Sequence, residues 1–311
     1  MSDAWNDVHW KAVSRPPVLG MAGLGLLGSA FAERAIAGGW RVAGFDPDPA
    51  AMSRLRMLGG EPVDSPADVA KQADRVLLVL PHDGVSREVL AAMRPELRLG
   101  AIVLDATTGD PDAMAELGRQ LAVERIAYLD ATVSGSSVQV RAGDGVLMVG
   151  GPETAFAACR ELFQVLARQT LYGGECGNGA RLKLVTNLVL GLNRAALAEG
   201  LVFADRLGVD GELALAALRA GIAYSRIMDT KGEKMLRDDF QPQAKLSQHR
   251  KDVDLMLTAA ARHAQNLPLT AVHRELLLLA EELGFGEQDN SAVIQAVRAQ
   301  PFPTTERNRH G

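Results

Sequence analysis

Five residues, Val18–Ala22, form a short apolar run that passes straight into Gly23-Leu24-Gly25-Leu26-Leu27-Gly28. A helical pattern follows from Ser29 to Ala37 and stops at Gly38-Gly39; a second apolar run, Arg41–Phe45, ends at Asp46. Strand, glycine turn, helix, strand and acid in this order form half of a dinucleotide-binding sheet. Each glycine has its own task. Gly23 makes the tight turn, Gly25 lets backbone approach a pyrophosphate, and Gly28 lets helix and strand pack closely. The helix start presents N–H groups and partial positive charge to phosphate, which brings Leu24, Leu26 and Leu27 into the candidate cofactor contact. Asp46, eighteen residues past Gly28, is placed to accept hydrogen bonds from the ribose hydroxyls and would repel a 2′-phosphate. NAD is therefore favoured. NADP remains possible, because Arg41 and Arg54 lie nearby in sequence.

The alternation continues. Further apolar runs stand at Arg75–Leu80, Ala101–Leu104, Ile126–Leu129, Val146–Val149 and Thr170–Tyr172, with helical patterns such as Met114–Val123 and Thr154–Leu166 between them. Strands alternating with helices predict an α/β fold, a doubly wound Rossmann sheet, largely parallel. From about Gly177 the strand signals vanish. Helical patterns follow, broken at Gly208-Val209-Asp210, near Phe240-Gln241-Pro242, at Leu267-Pro268 and at Gly284-Phe285-Gly286. The expected organisation is a loose extension over residues 1–16, a Rossmann domain over 17–178, and an all-helical domain over 179–311 joined by a long helix.

Composition narrows the function. A net charge of −5 argues against a nucleic-acid binder, which would carry a basic excess. No continuous apolar run reaches the ~20 residues of a membrane span, and residues 1–16 hold no secretory apolar core. Cys159 and Cys176 give neither a disulfide framework nor a metal-ligand spacing, and the histidines show no paired spacing, so a reduced, cytoplasmic setting without a bound metal is expected.

Three loops beyond predicted strand ends attract attention, since ligands of open α/β sheets sit there. Leu80-Pro81-His82-Asp83 and Asp105-Ala106-Thr107-Thr108-Gly109 could touch the nicotinamide half, or Pro81 and Thr108 could simply end their strands. His82 reads as a solvent-facing loop residue. Asp130-Ala131-Thr132-Val133-Ser134-Gly135-Ser136-Ser137 offers small residues with N–H groups and a hydroxyl for a carboxylate, or is an ordinary Ser/Gly loop. Gly177 then opens a helix of roughly 28 residues, to about Leu207, apolar on nearly every side and so expected to be buried. Lys183 and Asn187 share one face of it. Taken alone, Lys183 reads as a lysine snorkelling to the surface.

Together these motifs resemble the β-hydroxyacid dehydrogenase family, which includes 3-hydroxyisobutyrate dehydrogenases and the glyoxylate and tartronate semialdehyde reductases. The resemblance spans Val18 to about Arg298 and rests on four motifs in order: Gly23 to Gly28, Asp130 to Gly151, Gly177 to Asn187, and Lys251-Asp252. It implies Lys183 as the catalytic general acid and base, Ser134, Gly135, Ser136 and Asn187 as substrate holders, and Thr108 and Lys251 at the cofactor, where the strand-end position also puts Leu80 and Pro81. It also implies a small carboxylate substrate and a homodimer or homotetramer. A lysine used as a base needs its pKa brought down from about 10.4, as burial in an apolar cleft would do. The sequence departs from the family pattern at Thr132 (usually proline), Ser136 (often glycine), Gln139-Val140 (usually Gly-Ala), Thr186 (commonly asparagine) and Ala244 (often aromatic). These changes predict a roomier or differently shaped pocket. Leu190 stands where related 6-phosphogluconate dehydrogenases carry an acid, so no decarboxylation of that kind is expected. Two other readings stay open: an imine reductase-like enzyme, which commonly has another residue in place of Lys183, and a non-catalytic NAD-binding redox sensor.

Overall fold

The computed structural model describes residues 17–299, so the extension expected over residues 1–16 lies outside the described residues. The chain separates into two compact units, one ending at Asn187 and one beginning at Leu188.

The first unit is built on eight strands: β1 (Val18–Ala22), β2 (Arg41–Phe45), β3 (Glu61–Pro62), β4 (Arg75–Leu78), β5 (Ile102–Asp105), β6 (Ala127–Ser134), β7 (Val146–Gly150) and β8 (Gln169–Tyr172). Their order in the sheet is β3-β2-β1-β4-β5-β6-β7-β8. All pairs are parallel except β6 with β7. Alternation along the strands divides the core between the two faces. Leu19, Met21 and Leu104 fall in one apolar cluster, and Ala22, Val76 and Val103 in the other. Because helices cover both faces, the strands read as apolar runs rather than alternating ones.

The order reverses between β1 and β4: the chain winds outward through β2 and β3, then returns. The carboxyl ends of β1, β2, β4, β5 and β6 therefore lie on one edge of the sheet, and a ligand crevice belongs at the switch point. That edge carries the glycine turn, Asp46, Leu80-Pro81, Thr107-Thr108 and Ser134.

Three local expectations change. The strand expected to end at Leu129 runs on to Ser134, because β5 holds its first half (Asp105 opposite Asp130) and β7 its second half (Ser134 opposite Val146). Asp130–Ser134 is therefore strand, not loop. The helix expected over Thr154–Leu166 is two pieces, Glu153–Ala158 and Arg160–Leu166, bent at buried Cys159; the Ala158 carbonyl released there accepts the Arg75 guanidinium at 2.9 Å. The two-residue β3 had no periodicity to reveal it.

The long helix spans Asn178–Arg206, as its sequence predicted. It is not buried all round: Val185, Val189 and Phe203 are 63%, 52% and 63% exposed, while Leu184, Leu197 and Leu201 are buried. By length and mean hydropathy alone this helix could cross a membrane. Its start, however, is pinned to β6 through hydrogen bonds described below, as befits a core helix.

The second unit is all-helical. Beyond Leu188 its helices are Gly211–Ala220, Ile227–Leu236, Leu246–Arg262, Pro268–Glu282 and Val293–Ala299. The expected breaks are present, with Asp210 capping one helix through the Leu213 N–H and Pro268 opening another. A further break at Gly221–Arg226 separates two helices that the sequence pattern left undivided. The unit's interior holds several charged and polar side chains, Arg194, Lys231, His273 and Asp289 among them. Lys231 and Asp289 form a buried ion pair at 2.8 Å, and Asp289 also accepts the N–H groups of Gln243 and Ser291. Arg194 is buried, its charge offset by Asp289.

Burial, aided by the Arg194 charge, pushes the His273 imidazole down from 6.5 to about 4. The folded-state value lies below the unfolded one. Between those values the unfolded chain binds a proton that the folded chain refuses, so this contribution is complete above pH 6.5 and lost towards pH 4. It amounts to about 3 kcal/mol. His273→Met is expected to flatten the fall of melting temperature between pH 6.5 and pH 4; wild type and variant curves that stay parallel would refute it.

Candidate active site

The glycine turn shows why each glycine is needed. Gly23 has φ +90°, and a Cβ there would lie 2.2 Å from the Val79 carbonyl oxygen. A Cβ on Gly28 would lie 2.0 Å from the Gly23 carbonyl oxygen, so the turn and the first helix, Leu26–Ala37, close directly on each other. Gly25 differs: nothing lies within 4 Å of a Cβ placed on it. It caps the helix without a side-chain acceptor and leaves a cradle above the first N–H groups, Leu26 and Leu27 among them. A pyrophosphate fits these donors and this opening. Leu24 has its side chain in the core.

Asp46 organises the turn from the end of β2. One carboxylate oxygen accepts the Leu24 N–H at 2.6 Å and the other the Asp48 N–H at 2.9 Å. The two arginines that could receive a 2′-phosphate are both engaged with acids: Arg41 with Glu61 at 3.3 Å and Arg54 with Asp48 at 3.6 Å.

The loops after β4 and β5 are tied together. Thr107 Oγ1 accepts the Leu80 N–H at 3.0 Å and the Ser86 hydroxyl at 3.2 Å. Beneath it, buried Asp105 accepts the Thr107 N–H at 2.9 Å and the Tyr128 hydroxyl at 2.8 Å. Burial raises the Asp105 carboxyl, while these donors oppose the shift. Sequence reasoning singled out Thr108; the residue that joins the two loops is its neighbour Thr107. His82 caps the next helix, its Nδ1 accepting the Val85 N–H at 3.3 Å.

The long helix is delivered to β6 by three successive contacts. Both Asp130 oxygens act as its cap, accepting the N–H groups of Gly177 and Ala180 at 2.8 Å each. Burial pushes this carboxyl up to about 6 against those two bonds. Thr132 Oγ1 donates to the Gly179 carbonyl at 2.9 Å. Lys183 Nζ then donates to the Val133 carbonyl at 2.6 Å. Gly179 permits the approach, since a Cβ there would lie 2.3 Å from the Asp130 carbonyl oxygen. Lys183 is only 9% exposed and Asn187, one turn on, 5%. The snorkelling alternative for Lys183 is thereby excluded: its ammonium is held inward, beside the residue that precedes Ser134.

The Ser134–Ser136 turn leaves the sheet where β6 ends, with Gly135 at φ +148°. Here the structure corrects an expectation. The Ser136 N–H, counted among open donors, already donates to Gln139 Oε1 at 2.9 Å, and the Gln139 N–H points back to Ser136 Oγ at 3.4 Å. This capping box opens the short helix Ser137–Arg141. Its signal, serine followed three residues later by glutamine, stood in the sequence. Lys251 belongs to the helical unit, on Leu246–Arg262, with its ammonium 3.8 Å from the Asp252 carboxylate.

Comparison with known proteins adds two family matches that together cover nearly the whole described chain. Residues 18–174 match the NAD binding domain of 6-phosphogluconate dehydrogenase, and residues 177–297 the family described as NAD-binding of NADP-dependent 3-hydroxyisobutyrate dehydrogenase. The chain is 33% identical to 2-hydroxy-3-oxopropionate reductase of Escherichia coli (strain K12), over 90% of this chain and 96% of that one. It is 28% identical to L-threonate dehydrogenase of Cupriavidus necator, over 89% and 95%. Among solved structures, 3-hydroxyisobutyrate dehydrogenase of Mycobacterium tuberculosis with L-serine superposes with a TM-score of 0.81 at 26% identity, over 91% of this chain and 99% of that one.

Proposed function

The chain belongs to the β-hydroxyacid dehydrogenase family of NAD(P)-dependent oxidoreductases acting on CH–OH groups, and we propose that it interconverts a small β-hydroxy acid and its semialdehyde, with Lys183 as general acid and base. One observation carries this reading: the Lys183 ammonium is buried and fixed 2.6 Å from the Val133 carbonyl, one residue before the Ser134 turn. The substrate carboxylate docks on the Ser134 hydroxyl, the Gly135-Ser136 backbone and the Asn187 amide. Lys183 hydrogen-bonds the reacting oxygen, giving it a proton in reduction and taking the hydroxyl proton in oxidation. The nicotinamide, when bound, supplies or receives the hydride. Leu80, Pro81 and Thr108 are the residues we assign to its surroundings, with Gly23–Gly28 and Asp46 at the pyrophosphate and ribose. The relatives' names, an oxopropionate reductase and a threonate dehydrogenase, point to short hydroxylated acids as the substrate class.

A panel of semialdehydes and hydroxy acids, followed at the nicotinamide absorbance band, tests the reading. Tight NADH binding without turnover of any acid would return the sensor alternative; turnover of cyclic imines alone would return the imine reductase one. We also propose NAD over NADP, because Asp46 occupies the ribose end of β2 and both nearby arginines are paired. In Asp46→Asn the ratio of kcat/KM for NADPH over NADH is expected to rise at least about tenfold, as a repelling charge is removed. A wild-type preference for NADPH would sink the argument.

The exposed apolar stripe of the long helix, Val185, Val189 and Phe203, supports a second copy of the chain as its cover. The free thiols Cys159 and Cys176 suit a reducing, cytoplasmic setting.

A further inference from the structure

The turn assigned to the substrate carboxylate is already engaged by the chain itself. The Gln139 carboxamide oxygen sits on the Ser136 N–H at 2.9 Å. Its Cβ lies 3.6 Å from where a Cβ of Gly135 would stand. A carboxamide oxygen and a carboxylate oxygen seek the same donor, and the carboxylate binds it more strongly. We propose that Gln139 is a specificity-determining residue: its carboxamide holds the Ser136 amide in place of a substrate oxygen and is displaced when the acid binds. This rests on the assignment of Ser134–Ser136 to the carboxylate. The consequence is a weaker carboxylate site than an open turn would give.

A capping box has a plain structural use, and the experiment has to separate the two roles. Glutamate completes the same box as glutamine. Gln139→Glu therefore keeps the helix start but sets a negative charge beside the incoming carboxylate. Its KM for the hydroxy acid is expected to rise by roughly tenfold or more, with the KM for NADH unmoved. Gln139→Ala vacates the Ser136 N–H, and its KM for the acid is expected to fall roughly three- to tenfold. Melting curves accompany both variants; should alanine unfold the short helix, the glutamate variant decides alone. A wild-type KM for the acid in Gln139→Glu, with the fold intact, overturns the proposal and leaves the box as a helix cap. If wild type turns over no hydroxy acid or semialdehyde in the panel, the underlying reading fails instead, and this inference with it.

Discussion

Lys183→Ala is expected to lower kcat by roughly a thousandfold, in keeping with loss of a positioned general acid and base, while NADH binds with nearly its wild-type Kd. The two readouts diverge because Lys183 belongs to the long helix, whereas the glycine turn follows β1 and Asp46 follows β2. The contacts that deliver that helix do not depend on the lysine. Asp130 holds its first N–H groups and Thr132 its Gly179 carbonyl whether or not residue 183 carries an ammonium. Lys183→Arg makes the test sharper. Arginine keeps the charge, but its guanidinium stays protonated and cannot take a hydroxyl proton. Oxidation is expected to fail in that variant as fully as in alanine, which a purely electrostatic role would not predict. Near-normal kcat in Lys183→Ala, or full oxidation in Lys183→Arg, would remove Lys183 from the mechanism.

The elements most legible in the sequence were those set by backbone chemistry and buried periodicity. The turn at Gly23–Gly28 and the 29-residue helix could be read because glycine spacing and an apolar pattern each have few structural solutions. Partnerships between distant residues were not legible. Asp130 read only as the first residue of the substrate segment; it is the cap of a helix that starts 48 residues later. Asp130 stands where the β5 and β7 ladders of β6 meet, a place that residue spacing does not reveal. That Arg41 and Arg54 stand against Glu61 and Asp48 was likewise not to be read from spacing. The Ser136–Gln139 box is the opposite case: local, visible in four residues, and passed over because the same serine suggested an open loop. The family was legible in the glycine turn and the order of the motifs, while what the strand-end residues already bind required coordinates.

The glycine turn yields the second large effect, and it separates two tasks that one motif performs. Gly25→Val is expected to leave the melting temperature of the protein close to wild type, because nothing lies within 4 Å of a Cβ at that position and its φ of −63° suits any residue. The same side chain would stand in the cradle that receives the pyrophosphate. Displacing phosphate from two N–H donors costs charge-assisted hydrogen bonds of roughly 1.5–3 kcal/mol each, so the Kd for NADH is expected to rise by roughly a hundredfold or more. Gly28→Ala is expected to show the reverse order of damage. Its Cβ would press to 2.0 Å on the Gly23 carbonyl oxygen, which is backbone and cannot rotate away. Either the helix shifts off β1 or the turn opens, and the melting temperature falls with or without cofactor. Isothermal titration with NADH beside thermal melts of both variants checks the pair. A Gly25→Val protein that binds NADH normally would mean the pyrophosphate does not pass over Gly25, and the cofactor assignment of this turn would have to be redrawn from the helix start outward.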